Sequence, residues 1–366
     1  MHFIVYVWMN FTGIKIACRF GTCRQCRSGK IEEMKILFLA RYFYPHIGGV
    51  EKQVFELSRR LIKKNHQVTI VTLKHNPRLK NQETINRIKI IRIPYLKIKY
   101  FGLLYIWLWF ITHKDLIESA DIIHAHSVLI WYWPLRLLLP KKPVYTTFHG
   151  WEGIYPIPKK NIIIRKIDAL IARKNITIHD YVTKHYGIKA DKIIYTAVDL
   201  PKQPPLEKDY RCLVYVGRLD PDTGLPKILQ ALSNLKGFTI DFCGNGPLAE
   251  ECKKFGTVHG FVDPNLFLAK AFICLSPGIT SILEAFTYKC LVITTYNNPL
   301  KKDYLLMTPF ASSIIVKDKS SALAQAIKYY SKHPSAAQTK INQAYSWVKT
   351  QNWEAAVKLY LKLWQP

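Results

Sequence analysis

Acidic residues are scarce in this chain. Asp and Glu total 25 against 53 Lys and Arg, a formal charge of +28 at pH 7. The deficit turns the chain away from cationic partners and toward anionic ones: phosphate-bearing substrates, an acidic lipid surface or nucleic acid. The basic residues are spread along the chain with no single block, which also suits a plain Lys-rich surface. No basic helix with interleaved aromatics and no nucleic-acid fingerprint is present, so nucleic acid is not an expected partner. No run reaches the roughly 18 apolar residues that cross a bilayer, and no repeat with a period of about 20–50 residues is visible. A disulfide framework is missing too. Of eight cysteines, five (Cys212, Cys243, Cys252, Cys274, Cys290) lie singly in the second half, which points to a reducing compartment. Cys18, Cys23 and Cys26 are close together but lack a fourth ligand at a sensible spacing, so no metal is expected there.

Apolar material is ample. Hydrophobic residues make up 49% of 366, enough for two buried cores. The first 33 residues carry no signal-peptide pattern. Met34 is followed at once by the buried-strand run KILFLA, so residues 1–33 read as an upstream extension outside the fold. From there strands and helices alternate. Lys35–Ala40, Gln67–Leu73, Ile88–Ile93, Asp121–His126, Val144–Phe148 and Ile193–Ala197 read as strands, with an amphipathic helix over Val50–Lys64. Residues 200–209 hold three prolines and no periodicity. The alternation then restarts with strands at Cys212–Gly217, Phe238–Cys243, Ala271–Leu275 and Leu291–Thr295. Helices are expected over Leu225–Leu235, Ile282–Tyr288, 319–331 and 336–364.

The expected fold class is therefore α/β, two Rossmann-like, doubly wound domains facing a cleft. The expected boundaries are 34–200 for an acceptor-side domain, 201–209 for a linker, and 210–350 for a nucleotide-sugar domain. The last helix, 351–366, would pack back on the first domain. Two aromatic runs, Phe101–Thr112 and Leu129–Leu139, have basic neighbours at Lys97, Lys99, His113, Lys114, Lys141 and Lys142. They suit either helices lying in a membrane interface or ordinary core helices, and the sequence leaves both open.

Several residues fall where a cleft would need chemistry. Gly48-Gly49 stands just before the first helix, where glycines admit a close ligand and free N–H groups face an anion. His149 ends a parallel strand, in TTFHG, and so should face the cleft. Arg218 directly follows the strand ending at Gly217; a guanidinium there can hold phosphate oxygens through paired N–H bonds. Ser276-Pro277-Gly278-Ile279-Thr280-Ser281 is a small, hydroxyl-rich loop entering a helix, suited to phosphate through the helix start at Gly278, Ile279, Thr280 and Ser281. Asp220 and Asp222 invite a divalent ion, but Arg218 and helix dipoles can carry the charge, so no metal and no cofactor are expected.

The stretch YPHIGGVEKQVFELSRRLIKKNHQVTIVTL resembles the opening of the family-four glycosyltransferases, which are retaining enzymes of GT-B architecture. The resemblance continues through DIIHAHS, TFHG, VGRL, FCGNGPL, VHGFV and ILEA. It implies that Gly48 and Gly49 shape the acceptor side and approach donor phosphates, and that His149 contacts the transferred sugar. It also implies that Glu284 binds ribose hydroxyls and that Phe261 and Val262 meet the nucleobase. Two departures stand out: Thr223 occupies the place of a family Lys that assists Arg218, and Ser276 replaces the earlier of two family glutamates.

The resemblance implies a metal-independent hexosyltransferase of glycan biosynthesis. The donor would be a nucleotide diphosphate sugar and the acceptor a glycan or lipid-linked sugar. The expected location is the cytoplasm, extending to a peripheral position on the cytoplasmic face of an anionic membrane. Two alternatives stay open: a nucleotide-sugar-binding protein with degenerate catalysis, and a nucleotide-sugar epimerase.

Overall fold

The computed structural model describes residues 33–46, 48–94, 101–150, 153–202 and 207–365. Residues 1–33 form one unit and 34–366 another; the expected extension, Cys18, Cys23, Cys26, Lys97 and Lys99 lie outside the described residues or, for Glu33, at their edge.

Two sheets organise residues 34–366. The first holds β1 (Lys35–Ala40), β2 (Gln67–Lys74), β3 (Gln82–Ile85), β4 (Ile88–Pro94), β5 (Ile122–His126), β6 (Val144–Phe148), β7 (Lys174–Thr177) and β8 (Lys192–Ile193). Their order is β3-β4-β2-β1-β5-β6-β7-β8. The second holds β9 (Asp209–Val216), β10 (Thr239–Cys243), β11 (Thr257–Gly260), β12 (Ala271–Leu275), β13 (Leu291–Thr295) and β14 (Ile315–Lys317), in the order β11-β10-β9-β12-β13-β14. The central strands are buried on both faces, as helices cover both sides; β6, β12 and β13 are buried at every position.

The sheets are parallel with one exception. β3 pairs antiparallel with β4, an edge strand the alternation did not predict. Asn86 and Arg87, both at positive φ (52° and 67°), make the two-residue turn that a right-twisted hairpin favours. The strand expected over Ile193–Ala197 shrinks to Lys192–Ile193. β9 opens at Asp209, the last residue assigned to the linker. The helical segments expected over 336–364 are Gln338–Val348 and the last helix, Trp353–Trp364, capped by the Asn352 side chain, which accepts from Ala355 N at 2.9 Å.

The Trp353–Trp364 helix belongs to the core of the first sheet. Trp353, Val357, Tyr360 and Trp364 are buried there among Phe38, Leu57 and Tyr145. The five cysteines of the second half are free and buried. Among the described residues no helix is long and apolar enough to cross a membrane.

Candidate functional site

Carboxyl ends of strands from both sheets border one cavity of about 1220 Å³. His126 ends β5, His149 follows β6, Arg218 follows β9, Gly244 follows β10 and Pro277 follows β12. Ligands of open α/β sheets gather at this edge, because loops there vary while helix N-termini point inward. Each residue expected at the site lines this cavity: Gly48, Gly49, His149, Arg218, Phe261, Val262, Gly278, Ile279, Thr280, Ser281 and Glu284.

The wall from the first sheet carries a cluster of buried histidines. Period-two alternation puts His124 and His126 on one face of β5, both fully buried. Trp364 Nε1–H, which can only donate, lies 3.0 Å from His124 Nδ1. That nitrogen is therefore bare, and the His124 proton sits on Nε2, which donates to Thr147 Oγ1 at 2.7 Å. The Thr147 hydroxyl meets Tyr360 Oη at 3.3 Å, and Gln53 Nε2 donates to the same oxygen at 3.2 Å. His126 Nδ1 and His149 Nε2 are 2.8 Å apart and share one proton between them. Burial pushes His124 and His149 down to about 3. It pushes His126 well below its ordinary range as well, assisted by the charges of its two histidine neighbours. All three are neutral at pH 7. Deeper on this wall, burial raises Asp168 to about 7, while the Trp133 indole N–H at 2.7 Å and the Arg165 charge favour its carboxylate form.

The wall from the second sheet is charged. Arg218 donates to Asp220 at 3.2 Å and to Asp222 at 2.7 Å. Both carboxylates that invited a metal are thus engaged with the guanidinium beside them. Thr223, at the family Lys position, is buried; its hydroxyl donates to the Asp220 carbonyl at 2.6 Å and accepts from Tyr215 Oη at 3.1 Å. Ser276 is also buried and tied to the Ser281 hydroxyl at 2.5 Å, so it staples the loop instead of facing the cavity.

At the start of the Ile279–Thr287 helix two of the expected groups already have partners within the protein. Ile279 N–H donates to Tyr304 Oη at 3.0 Å, and the Ser281 hydroxyl donates to the Gly278 carbonyl at 3.1 Å. The Ile279 amide and the Ser281 hydroxyl are thus engaged within the protein, and the half-buried Thr280 hydroxyl stands in the same turn. It meets Gly49 across the cleft: a methyl group on Gly49 would lie 3.2 Å from Thr280 Oγ1, so close approach keeps a glycine there. Gly48 has extended backbone (φ −163°), which any residue adopts. Glu284 forms an ion pair with Lys52 of the facing Gly49–Lys63 helix.

Residues 47–202 match the sequence model of Glycosyltransferase Family 4. Over that segment the chain is similar to glycosyltransferase family four. Solved structures agree in architecture. Sucrose-phosphate synthase from Thermosynechococcus elongatus superposes with a TM-score of 0.73 at 17% identity, covering 91% of this chain and 98% of that one. HepE from Anabaena in complex with UDP-glucose gives 0.68 at 14%, covering 90% and 99%. WaaG, a glycosyltransferase of lipopolysaccharide biosynthesis, gives 0.61 at 16%, covering 88% and 99%. At these identities the likeness fixes the fold: the chain has the GT-B arrangement of two Rossmann-like domains. Comparison with curated protein sequences gives no match.

Four residues of the cavity escaped sequence reasoning. His126 carried a signal, since it alternates with His124 in DIIHAH. Lys52, Asp168 and Lys301 carried none; a helix surface residue and a buried site residue look alike until the opposite wall is placed.

Proposed function

We propose that the chain is a retaining glycosyltransferase that takes a hexose-type sugar from a nucleotide diphosphate donor, without a metal, to a glycan or lipid-linked acceptor. The observation that carries this reading is the two-walled cavity: a wall bearing buried neutral imidazoles faces a wall bearing Arg218, Lys301 and a helix N-terminus. Charge builds on the leaving diphosphate, so Arg218 and the Thr280 turn hold the donor phosphates. Glu284 takes the ribose hydroxyls, and Phe261 and Val262, both exposed, take the base. His149 orients the transferred sugar as a neutral hydrogen-bonding group, and the acceptor enters past Gly48 and Gly49. HepE and two further complexes of it were solved with UDP or UDP-glucose, which makes uridine the first base to test. Residues 34–200 form the acceptor side and 210–350 the donor side, joined through 201–209.

An anionic membrane is the proposed setting. The Gly102–Thr112 helix buries Ile106 and Phe110 but leaves Phe101, Leu104, Leu108 and Ile111 exposed along one face. It packs on the short Trp133–Leu138 helix, where Leu137 is 86% exposed. Lys114, Lys141 and Lys142 flank these segments, and an apolar stripe beside cations suits a lipid interface.

The degenerate-binding reading draws on Thr223 and on the carboxylates that already pair with Arg218. UDP release from UDP-glucose, UDP-galactose and UDP-N-acetylglucosamine, with and without membrane extract as acceptor source, separates the two. Acceptor-dependent release is expected. UDP binding with no release from any of them would leave a binding protein, and absence of UDP binding would remove the donor site.

A further inference from the structure

Lys301 is the most deeply buried lysine of the cavity, 3% exposed, in the first turn of the Pro299–Leu306 helix after β13. The Asn298 side chain caps that turn by accepting from Lys301 N at 2.8 Å. The Lys301 ammonium donates to the Pro277 carbonyl, one residue before the helix that opens at Gly278. It also lies 4.4 Å from the Tyr304 ring centroid, and Tyr304 in turn holds Ile279 N–H. An ammonium has three donors and loses strong hydration when buried, so one carbonyl and one ring face leave it under-solvated. Arg218 and Lys52 at this edge each have a carboxylate partner, and the other lining cations, Arg41 and Arg165, come from the elements of the first sheet. Among the described residues Lys301 forms no ion pair.

We propose that Lys301 is the second cation of the donor diphosphate site, supplied by a different element from the one that carries Arg218, and that it binds diphosphate in its protonated form. The proposal rests on the donor reading above. The loop after β9 offers a single cation because Thr223 is a buried hydroxyl, and Lys301 reaches the same cavity from behind the Pro277–Gly278 turn. Its charged surroundings are Asp222 and Arg218 on that loop and His179 after β7, with the Tyr304 phenol on its own helix. Burial brings Lys301 down to about 7; Asp222 favours the charged form and Arg218 opposes it. A bound diphosphate adds negative charge and draws a proton onto the amine.

The test is calorimetric titration of the full chain with UDP between pH 7 and 9, in two buffers of different ionisation enthalpy. Above pH 7 the terminal phosphate of UDP, with its last ionisation near about 6, no longer contributes. Wild-type protein is expected to take up a proton on binding, its UDP affinity falling up to about tenfold per pH unit. Lys301→Arg should keep affinity and lose the pH dependence. Lys301→Met should bind at least about tenfold more weakly at pH 7, with a flat profile. Wild-type binding without proton uptake overturns this proposal and leaves the donor site standing, and that measurement needs no variant to fold. A wild-type chain that binds neither UDP nor inorganic pyrophosphate overturns both.

Discussion

The two walls of the cleft hold similar positions on similar sheets and differ in chemistry. On the first, three histidines are buried and kept neutral, and the hydrogen bonds of His124 run back to Trp364 directly and to Tyr360 through Thr147. On the second, Arg218, Asp220, Asp222 and Lys301 crowd one edge beside a helix N-terminus. Neutral donors and acceptors suit sugar hydroxyls, which carry no charge to attract. Cations and helix dipoles suit a diphosphate whose charge grows as the bond to sugar breaks. In the proposed function the division of labour would therefore lie in the protonation state of each wall more than in its shape.

The largest expected effect comes from removing the charge of the second wall. Arg218→Ala should cut transfer by about 100- to 1,000-fold and abolish the rise in Tm that UDP gives the wild type. A variant that still gains the full UDP shift would mean that the donor phosphates lie elsewhere. On the opposite wall, His149→Ala should lower turnover by roughly 100-fold while UDP binding stays unchanged. Parallel loss of UDP affinity would show that the walls are not separable.

Acid should strike the first wall. His124, His149 and His179 titrate at about 3 in the folded chain against an ordinary 6.5, so the unfolded chain binds more protons between those values. Stability is complete above pH 6.5 and is lost as pH falls toward 3, by up to about 1.4 kcal/mol per histidine per pH unit. Tm scans from pH 7.5 to 5 check this. A flat profile would mean that these imidazoles reach water. The smallest effect is expected where the walls touch: Glu284→Gln breaks the partly exposed pair with Lys52 and should lower stability by less than about 1 kcal/mol. A thermal melt would read that change beside a separate, larger loss of UDP affinity.

Much of the architecture is legible in the residues. β-branched and aliphatic runs mark β1, β6, β12 and β13 because strands buried on both faces cannot be polar, and each matched within a residue or coincided. The short strands β7, β11 and β14 escaped, since three or four residues carry too little periodicity to separate from loop.

By itself the sequence determined which residues would stand at the cleft edge: His149 directly follows, and Arg218 lies one residue past, hydrophobic runs whose direction a parallel sheet fixes, and Gly48-Gly49 opens the first helix. It also determined that Thr223 and Ser276 depart from the family pattern. What tertiary structure alone decided is the state of those groups. Whether Arg218 is paired, whether His149 is charged and whether Lys301 faces solvent or a cavity all depend on burial and on partners from distant segments. Desolvation and Coulomb energy act through space, and residues 218 and 301, or 149 and 126, become neighbours only when both sheets have closed around the cleft.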